Sequence, residues 1–564
     1  MKKFITISLL LALLFMGCTA TDGTLVQADT SEIPYQSRFD SVTTITLSDE
    51  GITVDGGKET NSVYTTHDIV YYEEKTVYES GNPYGEGTAA DMHSAEEAAA
   101  HTVVNITLPG AYRLSGKLSA GQIRIDLGKN ADEDPNAVVE LILDGADITC
   151  TVAPAILFQN VYECDGDWST DTAKADVDTS KAGANLVLEN TNTVNGSYVA
   201  KIYKDKDGEK KLWKQDGAIY SYMSMNVYGP GSLDLTADNE GLDTELHLTI
   251  NGGKIAIRSG NDGINTNEDG VSVTTINAGS LHIIAGLGEE GDGIDSNGYL
   301  VINGGTVVSA ANPASDAGLD SDLGSYVNGG TVIALGSTMD WAESDSKQVT
   351  MNLQFAQYQS SGSAIVITRE DGTVIFAYDP SEDEVLGENV RRYQGAVIST
   401  PNLIQGQSYH VYLDGTLSGT ETGGVYDVTT VTGYTGGTQM MYTGTDVQMH
   451  PGMGGQRPEG DRGQRPEGEM PTMPEGEIPT MPEGFDFGQK PEDFTIPPEP
   501  TFPEGQMHTN GSGSNPPTPP EGETMPEGFN PGQMGRPGDG NKGNTLFYMQ
   551  DKVNAFSGVT AVTQ

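Results

Sequence analysis

The sequence predicts an all-β protein: a right-handed parallel β-helix, a solenoid of stacked coils, followed by a small C-terminal β module. Two recurring phrases and one periodicity predict it. Asn-Gly-Gly, once varied to Asn-Ala-Gly, followed by a small or polar residue and an aliphatic, begins at Asn251, Asn277, Asn303 and Asn328, at intervals of 26, 26 and 25 residues. A second phrase interleaves with it as Glu240-Gly241-Leu242-Asp243-Thr244, Asp262-Gly263-Ile264-Asn265-Thr266, Asp292-Gly293-Ile294-Asp295-Ser296 and Ala317-Gly318-Leu319-Asp320-Ser321. Two phrases in register at a period of about 20 to 50 residues mark a solenoid. Between them Leu246, Leu248 and Ile250 alternate with His247 and Thr249, which is strand spacing. Glycine accepts positive φ, so each Asn-Gly-Gly can turn a corner between short strands. Stacking then gathers Leu242, Ile264, Ile294 and Leu319 into one inner column and Ile255, Leu281, Val307 and Val332 into another.

Taken in order, the chain opens with Met1-Lys2-Lys3 and an apolar run from Phe4 to Phe15, a secretory signal too short for a stop-transfer helix. The continuation Phe15-Met16-Gly17-Cys18-Thr19 resembles a bacterial lipoprotein box. Gly17 and Cys18 match it, while Met16 stands where Ala or Ser is usual and Phe15 where Leu is usual. The resemblance implies that residues 1–18 are a lipoprotein-type signal segment, in which Cys18 becomes the lipidated first residue of the mature protein. It places the protein extracellularly, anchored to the bacterial cell membrane through that N-terminal lipid only, since no other stretch is apolar for long enough to cross. Residues 19–87 read as polar linker and then edge strands, Ser41 to Leu47 and Asp68 to Tyr78. Ala89 to His101, rich in alanine, suits a short helix plugging the first coil.

Residues 88–345 carry the predicted β-helix. Its early phrases are Ile106-Thr107-Leu108-Pro109-Gly110-Ala111-Tyr112-Arg113-Leu114, Gly121-Gln122-Ile123-Arg124-Ile125 and Leu141-Ile142-Leu143-Asp144-Gly145-Ala146-Asp147-Ile148-Thr149. Together with the downstream Asp-Gly-Ile-Asp-Ser-Asn-Gly and Asn-Gly-Gly-Thr-Val units, they resemble the clostridial carbohydrate-binding β-helix family, whose founding members bind polygalacturonic acid and cellulose. That resemblance spans about Val103 to Trp341. It implies a plant cell-wall-type polysaccharide as partner, with calcium accompanying it.

An insertion, Tyr198 to Gln215, holds the lysine-rich Lys201 to Lys211 beside Trp213. It is either a sugar platform built on Tyr203 or Trp213, or a solvated hairpin turned at Asp207-Gly208. Cys150 and Cys164, fourteen residues apart, either form a disulfide or remain free thiols, and no metal–thiolate spacing exists. Residues 346–447 form the β module, with a hairpin of Ala364 to Thr368 and Thr373 to Ala377 around Asp371-Gly372, and further strands at Ala396 to Ile398 and Tyr409 to Leu413. Residues 448–543 are a Pro, Gly, Met and Glu tract that cannot bury a core and reads as disordered. Residues 544–564 turn apolar again and are expected to return as a strand of the module.

Composition narrows the function. Lys and Arg number 30 against 80 Asp and Glu, a formal charge of −50, so nucleic acid and anionic lipid headgroups are repelled. Strand alternation turns Asp243, Asn265, Asp295 and Asp320 outward in one column, with Asp262, Asp292, Asp316 and Asp322 adding oxygens. Carboxylates stacked about 4.8 Å apart repel by roughly 1 kcal/mol in water and more at lower dielectric. Such a column suits a hard, oxygen-ligated cation, Ca²⁺. Asn265-Thr266-Asn267-Glu268-Asp269-Gly270 begins like an EF-hand loop, but its twelfth position is Ile276, so that reading fails. The alternative is that these residues cap turns and hydrogen-bond between coils.

Between Asp216 and Trp341 stand 17 Asp or Glu and only Lys254 and Arg258 as cations. Those two are the candidate carbohydrate-binding cations. A pectate lyase needs a base and carboxylate clamps, and a polygalacturonase needs carboxylates set apart for a water. Aspartates that recur coil after coil favour binding over catalysis. The expectation is a non-enzymatic, surface-anchored protein that binds pectin-like or cellulosic polymer with calcium. A calcium-dependent pectate lyase or polygalacturonase, or a structural, adhesive surface protein, are the alternatives.

Overall fold

The computed structural model describes residues 24–28, 30–72, 88–166, 168–203, 211–337, 340–445 and 543–562, with 201–203, 211–213 and 388 described by backbone alone. The expected signal peptide, Cys18 and the Pro-rich tract lie outside them. The chain divides into two units, Met1–Arg465 with Lys542–Gln564, and Pro466–Asn541; the second falls wholly outside the described residues. Among those residues no helix is long and apolar enough to cross a membrane.

The described chain is nearly all β, with large sheets. Three ladders of parallel strands make up the repeats. In the first, Thr102–Ile106, Gly121–Asp126, Ile156–Asn160, Gly217–Ser221, Glu240–Thr244, Ile264–Thr266 and Ile294–Ser296 pair in that order. The second runs Val139–Thr149, Ala184–Glu189, Met225–Tyr228, Leu248–Ile250, Val273–Ile276, Tyr299–Ile302 and Gly324–Val327. The third runs Thr191–Gly196, Ser232–Ala237, Lys254–Ser259, Ser280–Ile284, Thr306–Ala310 and Thr331–Gly336. The register stacks Leu242 on Ile264 on Ile294, with Leu319 bridged beyond, and Ile255 on Leu281 on Val307 on Val332. Aliphatics from all three ladders join one core, and each contributes about 1.5–3 kcal/mol on burial.

Two glycine columns explain the phrases. Gly253, Gly279, Gly305 and Gly330 have φ of 95°, 91°, 80° and 84°, a turn conformation that other residues resist. At Gly241, Gly263 and Gly293 the reason is proximity: a Cβ there would lie 2.4, 2.5 and 2.5 Å from the Gly263, Gly293 and Gly318 carbonyl oxygens of the next repeat. Asparagine has its own use. The Asn277 amide donates to the Asn251 side-chain oxygen, Asn303 to Asn277 and Asn328 to Asn303, each at 2.9 Å.

The N-terminal region differs from its expected form. Val42–Leu47 is a strand, parallel to Gly110–Leu118, but the partner edge is Val63–Thr66 rather than a run from Asp68, and 68–72 is not strand. The expected linker is packed structure in part: the Ile33 amide donates to the Asn251 carbonyl at 2.8 Å, the Arg38 amide to Glu140 at 2.7 Å, and Tyr35 and Phe39 lie on Ala111, Ile142 and Val187. Polarity hid this, because the segment is held mostly through backbone groups. The helix is Ala95–Ala99, capped by Ser94 and Glu97 in a reciprocal box.

Tyr393–Ser399 runs antiparallel to Thr331–Gly336, covering what would be an open edge. It also pairs with Thr350–Gln359, and the hairpin Ile365–Arg369 with Val374–Tyr378 adds Ser408–Leu413. Phe547–Tyr548 pairs with Ser408–Leu413, and Val553–Ala561 lies parallel to Thr350–Gln359 and antiparallel to Thr438–Met441. A second core, including Phe355, Tyr393, Phe547 and Phe556, fills this module. Cys150 and Cys164 are both free thiols.

Candidate metal centre

The phrase beginning at Glu240 builds the site. In the first ladder Leu242, Ile264 and Ile294 face the core, so the residues beside them, Asp243, Asn265 and Asp295, stack on the opposite face. One repeat earlier, the antiparallel hairpin of Val199–Tyr203 and Lys211–Gln215 delivers Lys214 and Asp216 to the start of the Gly217–Ser221 strand. Carboxylate oxygens of Asp216, Glu240 and Asp243 all lie within 4.8 Å of one another. The Lys214 ammonium pairs with Asp216 at 2.7 Å and also donates to the Asn267 side-chain oxygen. The Asn265 amide donates to Glu240 Oε1 at 3.2 Å, and the Asn267 amide donates to Asp243 Oδ1.

The Glu240 and Asp243 carboxyls also face each other and can hydrogen-bond only when one is protonated. With both ionised, Glu240 Oε2, Asp243 Oδ2 and Asn265 Oδ1 are buried and meet no donor among the described residues, a condition costing about 1–3 kcal/mol for each neutral group and more for a charged one. Three carboxyls face one ammonium, so full ionisation would leave two negative charges in excess. The pKa directions agree. Burial, then Glu240, pushes the Asp243 carboxyl well up, against the Lys214 charge. Burial and Asp216 push up Glu240. A hard divalent cation fits this donor set: it would satisfy the orphaned oxygens and cancel the charge.

Further along, the column opens. Asp243, Asp262 and Asn265 are buried, whereas Asp292, Asp295 and Asp320 are half-buried and Asp322 is exposed. The column faces away from the core, but its first half is not open to solvent as expected. Two covering groups are Lys214 and Asp216, whose side chains are themselves only 12% and 17% exposed. Burial followed by the neighbouring Asp320 charge lifts Asp292 to about 7, Asp295 to about 8 and Asp340 to about 8. Asp262 also rises well above the ordinary range, through burial and then Glu240.

Part of the acidic set serves the turns. Asp262 Oδ1 accepts the Asp292 amide at 2.7 Å, Asp292 Oδ1 accepts the Ala317 amide at 2.6 Å, and Asp316 Oδ2 accepts the Gly291 amide at 2.8 Å. Each ties one repeat to its neighbour.

The structure does not bring Lys254 and Arg258 to this column. Both stand on the third ladder; Lys254 is exposed, and Arg258 pairs with Asp234 at 2.5 Å and donates to the Val385 carbonyl at 3.1 Å. The hairpin register sets Ile202 opposite Trp213 and Tyr203 opposite Lys211, and the side chains of Tyr203 and Trp213 lie outside the described set. Sequence reasoning missed Asp216, Glu240 and Lys214. Glu240 carried a signal, since it opens its phrase where Asp262 and Asp292 open theirs.

Comparison with known proteins finds carbohydrate-binding relatives. A family model described as "Carbohydrate-binding domain-containing protein" matches residues 100–350. A carbohydrate-binding domain-containing protein of Acetivibrio thermocellus is 28% identical over 157 residues. That match covers 28% of this chain and 45% of the relative, so the chain spans under half of the relative's length. A solved structure described as the polysaccharide lyase-like protein from C. thermocellum, gadolinium derivative, covers 51% of this chain and 93% of its own, at 21% identity and a TM-score of 0.30. The sequence similarities support a carbohydrate-binding family.

Proposed function

We propose that this chain is a non-catalytic polysaccharide-binding protein that uses calcium to hold pectin-like, uronate-bearing polymer. Its repeats wind as a right-handed parallel β-helix, and a lipid on Cys18 tethers it outside the cell. The observation that carries this reading is the set of buried oxygens on Glu240, Asp243 and Asn265 that meet no donor, inside a cluster of three carboxyls and one ammonium. The burial gradient along the column divides the labour. A cation held by Asp216, Glu240 and Asp243 is enclosed and serves the fold, while one held at the half-exposed end, among Asp295, Asp320 and Asp322, can share its coordination with a uronate carboxylate. The similarity to carbohydrate-binding proteins supports a polysaccharide as the ligand.

Catalysis is disfavoured by the state of the lysine beside the cluster. Burial lowers the Lys214 pKa, but the charges of Asp216, Glu240, Asp243 and Glu245 outweigh it and leave the ammonium more firmly protonated than usual. A proton-abstracting base needs the opposite. The test is incubation with polygalacturonate, with calcium or with EDTA. Calcium-dependent retention without unsaturated or reducing-end product supports the proposal. Product formation makes the protein an enzyme, and retention indifferent to EDTA removes calcium from the account.

A further inference from the structure

Residues 24–28 and 30–40 form neither helix nor strand, yet they lie along the repeats as a strap. Its first hold is on the C-terminal module. The Val26 amide donates to the Asn402 side-chain oxygen at 2.9 Å, the Asn402 amide donates back to the Val26 carbonyl at 2.7 Å, and Leu25 packs against the cluster of Val366, Val374, Ala377 and Val428. Midway, the Ile33 amide donates to the Asn251 carbonyl at 2.8 Å. Glu32 covers the neighbouring turn so closely that a Cβ on Gly252 would meet the Glu32 Cβ at 2.7 Å. Near the first coil, the Ser37 hydroxyl and the Arg38 amide donate to Glu140 at 2.5 and 2.7 Å, and the Tyr35 ring lies 4.7 Å from that of Tyr228 between centroids. Val42–Leu47 then pairs with Gly110–Leu118. Asn402 and Glu140 are both buried, so freeing the strap would strip buried polar groups of their partners.

The strap therefore runs against the order of the repeats, from the module back to the first coil. The second ladder, extended by Gly110–Leu118 and Val42–Leu47, stacks nine strands, or eight spacings of about 4.8 Å and about 38 Å in all. Cys18 precedes Val26 by eight residues, a reach of at most about 28 Å. A group attached to Cys18 is thus held closer to the module than the ladder is long. An anionic lipid surface also repels the acidic column, which disfavours a molecule lying on its side.

We propose that the C-terminal module is the membrane-facing end of the protein, and that the strap sets this polarity so that the repeats project outward with their acidic column. This rests on the reading in which a lipid on Cys18 tethers the chain, and gives that tether a direction.

The test is energy transfer from a dye on the full chain, lipidated in a bacterial host, to an acceptor dye on the headgroups of phosphatidylcholine and phosphatidylglycerol vesicles. The dye is carried by an introduced cysteine, either Tyr548→Cys on the module or Leu108→Cys at the first coil, both positions being exposed. Cys150 is buried, and burial pushes the Cys164 thiol up, so neither competes for the label. Transfer from Tyr548→Cys is expected to be severalfold stronger than from Leu108→Cys. A flexible Gly-Ser insertion between Cys18 and Thr24 should shrink that difference, because the tether then outreaches the ladder. Unchanged melting temperatures confirm that the labelled chains fold. Equal transfer from the two sites, or stronger transfer from Leu108→Cys, would overturn the polarity while the lipid tether stands. Wild type that stays in the aqueous phase on detergent partition, as Cys18→Ala should, overturns the tether and the polarity together.

Discussion

Asp243 and Glu240 hold carboxyls that are buried, each with one oxygen that meets no N–H or O–H donor among the described residues. Such groups keep their charge only if a cation joins them, and otherwise take up protons. Replacing Asp243 with Asn keeps the shape and removes one charge. Calcium affinity measured by calorimetry should fall by about tenfold or more, since ligand charge sets affinity at such sites. Without metal, other aspartates of the acidic set make stability depend on pH. Asp292, Asp295 and Asp340 titrate near 7, 8 and 8 in the folded chain, against about 3.9 when unfolded. A raised folded value means stability present at low pH and lost as pH rises through the folded pKa. Chelated protein should therefore melt at a lower temperature at pH 9 than at pH 6, and calcium should raise the melting temperature more at pH 9. Thermal melts at both values, with EDTA or calcium, check the sign. The register of Asp243, Asn265 and Asp295 was legible in the sequence because it follows strand alternation. Their burial was not, because Lys214 and Asp216 reach the column from a hairpin outside the repeat.

The ladders depend on small contacts repeated at constant positions. Gly263 lies where a Cβ would stand 2.3 Å from Ile283 Cγ2 and 2.5 Å from the Gly293 carbonyl. Gly263→Ala should destabilise by about 1–3 kcal/mol through overpacking, measurable by denaturant unfolding. Asn303 donates to Asn277 and accepts from Asn328. Asn303→Ala removes both bonds and should cost about 1–3 kcal/mol. These elements were read from phrases that state their own spacing. The strand Val63–Thr66 was not, since Val63-Tyr64-Thr65-Thr66 is short and takes its conformation from pairing with Thr102–Ile106. The packed segment near Ile33 and Arg38 escaped notice for a related reason: its backbone contacts on Asn251 and Glu140 leave no hydrophobic period.

Across the described residues, the two largest cores serve two purposes. One runs through the repeats, and the other joins the C-terminal strands to Thr350–Gln359. Phe556 packs against Tyr442 at 4.7 Å and Phe547 at 4.9 Å between ring centroids. Phe556→Ala should therefore destabilise the module by about 3–5 kcal/mol while leaving calcium affinity as in the wild type, because the acidic column draws on other residues. The most direct test concerns the cation itself. Terbium, a hard trivalent stand-in for calcium, emits when excited through nearby tyrosines, and Tyr220, bonded to Glu245, and Tyr222 lie beside the Asp216, Glu240 and Asp243 cluster. Tyrosine-sensitised emission that calcium displaces in the wild type, and that Asp243→Asn greatly reduces, is the expected result. Emission absent from the folded wild type, or unchanged in the variant, would contradict the assignment of a cation to this column.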